Sequence, residues 1–129
     1  MYVDSLGSQA GGDGGIEYRS FRRTFDFGHP LPSETFTFIE QHQDTVIDAS
    51  FTISKRHGTQ SWWLELPATS HGKISVIAFA DGHARQKKWV DPRTIRRVTR
   101  TLFIGEQSPN NLNVAWIQAH ATSRIDQLP

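Results

Sequence analysis

His71-Gly72-Lys73-Ile74-Ser75-Val76-Ile77-Ala78-Phe79-Ala80-Asp81-Gly82-His83-Ala84-Arg85-Gln86-Lys87-Lys88-Trp89 is the stretch on which the fold turns. An Asp-Gly pair between two strand-like runs is the strongest short-range hairpin signal, because a type I′ turn needs positive φ at both central residues. With Asp81-Gly82 as a two-residue loop, Ala80 faces His83, Phe79 faces Ala84, Ile77 faces Gln86 and Ile74 faces Trp89. Ile77 and Phe79 then share one side. Ile74, Val76, Ala78 and Trp89 share the other, with the stems of Arg85 and Lys87. The incoming strand is apolar on both faces and reads as central. The outgoing one is charged and reads as an edge, where lysines discourage unwanted pairing.

Working outward, Glu34 to Glu40 reads Glu-Thr-Phe-Thr-Phe-Ile-Glu, the period-two pattern of a half-buried strand with Phe36 and Phe38 on one face. Val46, Ile47, Phe51 and Ile53 predict a further strand near 46–54. Gln60 to Leu66 predicts a short irregular segment that packs Trp62 and Trp63 onto the sheet. Asp91-Pro92 ends the hairpin, because proline has no N–H for the ladder. Thr94 to Ile104 suits either strand or helix. Beyond Pro109, Asn110 or Asn111 caps a helix over 112–121, with Leu112, Ala115, Trp116 and Ala119 on one face. Residues 1–29 are expected to be a flexible, glycine-rich lead-in followed by a first extended segment carrying Phe21, Phe25 and Phe27. Residues 30–129 form the globular domain. The expected class is α+β, mainly antiparallel β, with a hairpin at 74–89 and a short C-terminal helix.

The 129 residues suffice for one domain with a modest core, rich in aromatics: four Trp and eight Phe carry much of a hydrophobic content of only 36%. A net charge of +1 points to no partner by bulk electrostatics. There is no cysteine, which excludes disulfides and thiolate metal sites. No apolar run reaches the roughly 18 residues of a membrane helix.

Several motif blocks resemble one family. His71, nine intervening residues and Asp81-Gly82 reproduce the H-x9-D-G pattern near the C-terminus of prepilin-like proteins related to type II secretion pseudopilins. Pro32-Ser33-Glu34-Thr35-Phe36-Thr37-Phe38-Ile39-Glu40-Gln41-His42 is similar to their P-S-x-T-F-x-F-x-E-x-H strand. Trp63 through Pro67-Ala68 resembles their W-x-x-x-P-A segment. Phe79-Ala80-Asp81-Gly82-His83, then Lys88-Trp89 and Asp91-Pro92-Arg93-Thr94, resemble their F-A-D-G-H and K-W-x-D-P-R-T ending. The resemblance implies a pilin-type globular head and a non-enzymatic structural role in a cell-envelope assembly, on the periplasmic or extracellular face. The partners it implies are further copies of the chain or similar subunits. Family members carry a basic leader and a long apolar N-terminal helix, which these residues do not include. Membrane contact is expected only through such a helix, and another element, the C-terminal helix or a second copy, must cover the sheet face it would occupy.

The chemistry-bearing residues leave two readings open. His71, Asp81, His83 and Glu40 are the candidate ligands of a divalent metal, Ca or Zn, which would make the chain a small metal-dependent enzyme or a ligand-binding β-domain. His42, Asp44 and Asp48 lie close by in sequence, and Glu40 with His71 is a conceivable acid–base pair. Against this, turn chemistry accounts for Asp81 and Gly82, and His83 merely flanks the turn. The H-x9-D spacing also sets His71 at the far end of the hairpin from Asp81. No nucleophile elbow, phosphate loop or zinc-protease motif is present, so no catalytic residue and no organic cofactor is expected. Arg85, Lys87, Lys88, Arg93, Arg96, Arg97 and Arg100 fall within sixteen residues, while residues 26–65 are predominantly acidic. Such a division suits a solvated face first, and then head-to-tail subunit contact through Arg93, Arg96 and Arg97. Nucleic acid is not expected.

Overall fold

The structure, a computed structural model, describes residues 2–4, 30–47 and 50–121. The elements run β1 (Tyr2–Asp4), β2 (Phe36–Ile39), β3 (Ser50–Thr52), β4 (Trp62–Trp63), β5 (Ile74–Phe79), β6 (Ala84–Lys88), β7 (Glu106–Gln107) and α1 (Leu112–Ala119). Five strands form one sheet in the order β3-β1-β2-β5-β6, and β4 pairs with β7 in a second. All pairings are antiparallel except β1 with β3. The class is therefore α+β and mainly antiparallel. β1 lies between β2 and β3, so the start of the chain belongs to the sheet and is not only a lead-in. The extended segment expected around Phe21, Phe25 and Phe27 lies outside the described residues, as does Asp48.

The hairpin forms with β6 at the edge, but its turn differs from the expected one. Ala78 pairs with Ala84, Ile77 with Arg85, Val76 with Gln86 and Ser75 with Lys87, one residue out of the two-residue register. Gly82 N–H donates to Phe79 O at 3.0 Å and Phe79 N–H donates to His83 O at 2.8 Å. The loop is Ala80-Asp81-Gly82. Gly82 has φ +94° and Asp81 is not in the positive-φ region, which is the three-residue loop closed by a left-handed glycine bulge. A slip of one residue moves every side chain of a strand to the other face. Trp89, Lys87 and Arg85 consequently sit with Ser75, Ile77 and Phe79, not with Val76 and Ala78. The packing explains why this register wins. Trp89 is buried and its indole N–H donates to Ser75 Oγ at 2.8 Å, whereas Val76, on the face first assigned to Trp89, is 44% exposed.

A second correction concerns β2. Phe36 pairs with Phe79 and Phe38 with Ala78, so Thr37 is an extra residue in the ladder. This bulge puts Phe36 in the core, at 3% exposure, and turns Phe38 outward at 52%. The strand near 46–54 shrinks to β3, with Val46 and Ile47 exposed. Thr94–Ile104 is neither strand nor helix beyond a single 3-10 turn over Pro92–Thr94. Trp62 and Trp63 form the two-residue β4, and Trp63 enters the core.

α1 starts where expected. Asn111 Oδ1 accepts the Asn113 N–H at 2.8 Å, an N-cap bond that satisfies one orphan donor of the first turn. The buried face, however, is Asn113, Val114 and Ile117, and Leu112, Ala115 and Ala119 face solvent. The helix is rotated because Asn113 hydrogen-bonds the hydroxyl of fully buried Thr94 at 2.8 Å, while Val114 and Ile117 join the core of Phe36, Ile39, Ile77, Phe79 and Trp89. Polar Asn113 is thus an inward position that apolar periodicity misses. α1 covers the inner face of the sheet. Trp116 is half-buried at its margin, 6.0 Å from the Trp89 ring and 6.3 Å from Phe36, ring centre to ring centre.

Candidate functional site

The most elaborate polar arrangement among the described residues surrounds the irregular segment 95–104. After β2 the chain makes a 3-10 turn over Gln43–Thr45 whose cap is His42. His42 is buried at 3% exposure. Its Nδ1 accepts the Asp44 N–H at 3.1 Å, so Nδ1 carries no proton, and Nε2–H donates to Arg96 O at 3.0 Å. The Asp44 carboxylate accepts three bonds from the far strap: Thr99 N–H at 2.8 Å, Thr99 Oγ1 at 2.9 Å and Arg100 N–H at 2.9 Å. The Thr99 backbone bond is the main reason the carboxyl sits below its ordinary value; burial opposes it, and the Thr99 hydroxyl and Arg100 amide add to the lowering. Phe103 N–H donates to Asp44 O at 2.8 Å. Residues 95–104 thereby keep a single path without regular secondary structure.

Two clefts open beside this strap. One, of about 280 Å³, lies over Leu66, Asp44, Thr99 and Phe103. The other, of about 460 Å³, is lined by Gln41, Gln43, Thr69, Ser70 and Val98 among others. His42, Arg96 and Arg97 contribute to both. Gln41 Nε2 donates to Thr45 O at 3.0 Å and to Thr45 Oγ1 at 3.1 Å. The carbonyl of Thr45 can only accept, which fixes the amide orientation. Gln41 Oε1 is left buried without a hydrogen-bond partner among the described residues.

The residues singled out in the sequence are dispersed. Asp81 and His83 occupy the tip of the hairpin, where Asp81 Oδ1 pairs with His83 Nδ1 and accepts the His83 N–H at 3.1 Å. Those bonds, the backbone one foremost, hold the Asp81 carboxyl below its usual range. The His83 ring stacks on Phe79 at 4.5 Å. His71 lies in the exposed turn before β5, at the opposite end of a strand roughly 17 Å long. Glu40 stands between, its carboxylate accepting the Val76 N–H at 2.8 Å. The structure brings Asp81 to His83 but neither His71 nor Glu40 to that pair. Among the described residues, no three His, Asp or Glu side chains gather as metal ligands.

Of the candidate contact arginines, Arg93 forks onto Asp91 at 2.7 and 3.0 Å and also donates to Pro109 O at 2.8 Å. Arg96 pairs with Glu106 and donates through Nε to Arg93 O. Arg97 is exposed and bonds no described residue. Arg85 and Lys87 behave differently from a solvated row, while Lys88 and Arg100 are exposed. Arg85 lies 4.8 Å from the Phe79 ring centre and 5.8 Å from Trp116, and Lys87 lies 4.7 Å from Trp116. His120 stacks on the same indole at 4.0 Å. Burial, then the charge of Arg85, pushes the Lys87 ammonium below its ordinary value, and burial pushes the His120 imidazole down. This cation–aromatic stack closes the margin of the core. It was not legible in the sequence, because it depends on the one-residue slip and on the rotation of α1. The Asp44 strap and the Gln41 cleft escaped for a related reason: their partners lie tens of residues away along an irregular segment.

No family model, no curated protein and no solved structure matches this chain.

Proposed function

We propose that this domain is a non-enzymatic structural subunit: the globular head of a pseudopilin-like protein in a type II secretion or pilus-type assembly of the cell envelope. The observation that carries the reading is how the motif residues are used. Asp81 and Gly82 close the hairpin, and Glu40 caps the Val76 amide. Trp89 binds Ser75, while Asp91 caps the 3-10 turn at Pro92 and Thr94 anchors α1. Residues engaged in this way build a scaffold, and none of them is positioned as a nucleophile with a base beside it. The outer face of the sheet adds support. Opposite α1 it presents Val76 at 44% exposure, an apolar character that suits packing against another element. On this reading the heads associate with one another or with similar subunits, and of Arg93, Arg96 and Arg97 it is Arg97, exposed and not paired to a described carboxylate, that is best placed for such contact.

The test uses the native protein from its own cells. Envelope fractionation, mass spectrometry of the mature N-terminus and in-cell cross-linking together address it. The reading expects an envelope-associated species, a processed N-terminus preceding an apolar helix, and cross-linked head ladders. A soluble native polypeptide that starts at Met1 and cross-links to nothing refutes it. The competing metal-enzyme reading rests on His71, His83 and Glu40, which the fold keeps apart, so no observation favours it.

A further inference from the structure

We propose that the open edge of β6 is a docking site for an extended acidic segment of another protein, which joins the five-stranded sheet as a further strand. This goes beyond the structural role proposed above and does not depend on it. The register with β5 decides which backbone groups of β6 are left over. Phe79 N–H donates to His83 O and Trp89 N–H donates to Lys73 O. Residues 83, 85, 87 and 89 therefore turn their backbone toward β5, by the alternation of an antiparallel pair. Ala84, Gln86 and Lys88 turn theirs the other way. Each offers an N–H and a C=O that no described residue bonds, and all three residues are exposed. Such a row is a template for one more strand. The opposite edge of the sheet is partly closed, because the Thr52 N–H of β3 donates to the Glu65 carboxylate at 2.6 Å.

The side chains of β6 choose the occupant. Arg85 and Lys87 stand on the inner face with Ser75 and Ile77, and Lys88 stands on the outer one. None of these three cations pairs with a carboxylate among the described residues, since Asp81 and Asp91 nearby are held by His83 and Arg93. Arg85 and Lys87 lie against one indole, 5.8 and 4.7 Å from the Trp116 ring centre. Burial, and after it the charge of Arg85, keeps the Lys87 ammonium below its ordinary value. Two like charges are thus held side by side without a described counter-ion. A second copy of β6 is a poor occupant. Antiparallel pairing centred on Gln86 sets Arg85 opposite Lys87, and like charges directly opposite destabilise a ladder. A strand with Asp or Glu facing Arg85 and Lys87 reverses that sign at both positions. The cations that discourage indiscriminate pairing at this edge select for an acidic strand.

The experiment is an amide-resolved NMR titration of the isotope-labelled protein with a short end-blocked peptide alternating Glu and Thr. Two controls run in parallel: a peptide alternating Lys and Thr, and the Glu–Thr peptide N-methylated throughout, which keeps its charge but cannot join a ladder. The Glu–Thr peptide is expected to give saturable shifts along β6. It is also expected to slow hydrogen exchange at Ala84, Gln86 and Lys88, leaving the already bonded Arg85 and Lys87 amides nearly as before. Both controls are expected to bind at least about tenfold more weakly. Arg85→Gln alters an exposed side chain and is expected to weaken the Glu–Thr peptide about two- to fivefold, the effect of one opposite-charge cross-strand pair. Gln86→Pro removes an N–H that no described residue accepts, so the fold is retained while binding falls by about tenfold or more. Where Gln86→Pro fails to fold, the N-methylated peptide decides the same point on the intact protein. Equal binding of that peptide and its parent reduces the contact to bare charge attraction and overturns the proposal. So does equal binding of the Lys–Thr peptide, the absence of saturable shifts, or an Arg85→Gln variant that binds like the parent. Protection of Ala84, Gln86 and Lys88 that rises with protein concentration in the absence of peptide makes a second copy the occupant and overturns it as well.

Discussion

Gly82 offers the sharpest check on the hairpin. Its φ of +94° lies in the region that L-residues avoid, yet a Cβ built there meets nothing within 4 Å. Space is available, so the cost of a side chain is carried by the backbone alone. Placing Val there is expected to destabilise the domain by about 1–2 kcal/mol. For a domain of this size that corresponds to a fall in Tm of roughly 4–7 °C. Ala is expected to cost nearly as much as Val, and Asn less, because Asn tolerates positive φ. The companion substitution Asp81→Gly distinguishes the two turn types by sign. In a type I′ turn Asp81 also has positive φ, and glycine stabilises it. In the three-residue loop Asp81 has no such need, and glycine destabilises by removing the Oδ1 bond to His83 N–H and freeing the unfolded chain. Urea unfolding monitored by tryptophan fluorescence measures both, and hydrogen exchange at the Phe79 amide, which bonds His83 O, reports the loop itself. A Gly82→Val variant as stable as the parent, or a stabilising Asp81→Gly, refutes the reasoning.

Asp44→Asn is expected to raise hydrogen exchange at Thr99 and Arg100 selectively, because both amides end on the carboxylate; unchanged protection there contradicts the strap. The same carboxyl is held below its ordinary 3.8, so its contribution is present above that value and is lost as pH falls through the lower folded value. An acid titration should therefore loosen residues 95–104 only below about pH 4, a window that disappears in Asp44→Asn. His120 is depressed in the same sense as Asp44, in a higher pH window. Its folded imidazole sits below 6.5, so the unfolded chain takes up a proton that the fold resists, and stability declines as pH drops from 6.5 toward the folded value. His120→Phe should flatten that limb in pH-dependent melting curves and keep the stack on Trp116. Finally, Asn111→Ala removes the α1 cap and is expected to cost about 1 kcal/mol, with additional loss from its buried bond to Ser108 Oγ at 2.8 Å; a chemical denaturation midpoint matching the parent argues against that cap.

Local signals carried much of this protein on their own. Residues 74–89 form a hairpin because a β-rich run, a flexible glycine and a charged edge strand are all short-range properties. The helix after Asn111 is equally local, since its cap is two residues from the amide it receives. Tertiary contacts decided which faces turn inward. A loop of two or three residues is compatible with Asp-Gly, and burial of Trp89 against Ser75 selects three. The Phe36/Phe38 alternation is broken by a bulge that exists only opposite β5. The inward face of α1 is set by Thr94, a hydrogen-bond partner nineteen residues away. The path of 95–104 is set by Asp44, more than fifty residues upstream. Periodicity records what a segment prefers by itself. It holds no information about bonds whose two ends are distant in sequence, and the register and the strap both consist of such bonds.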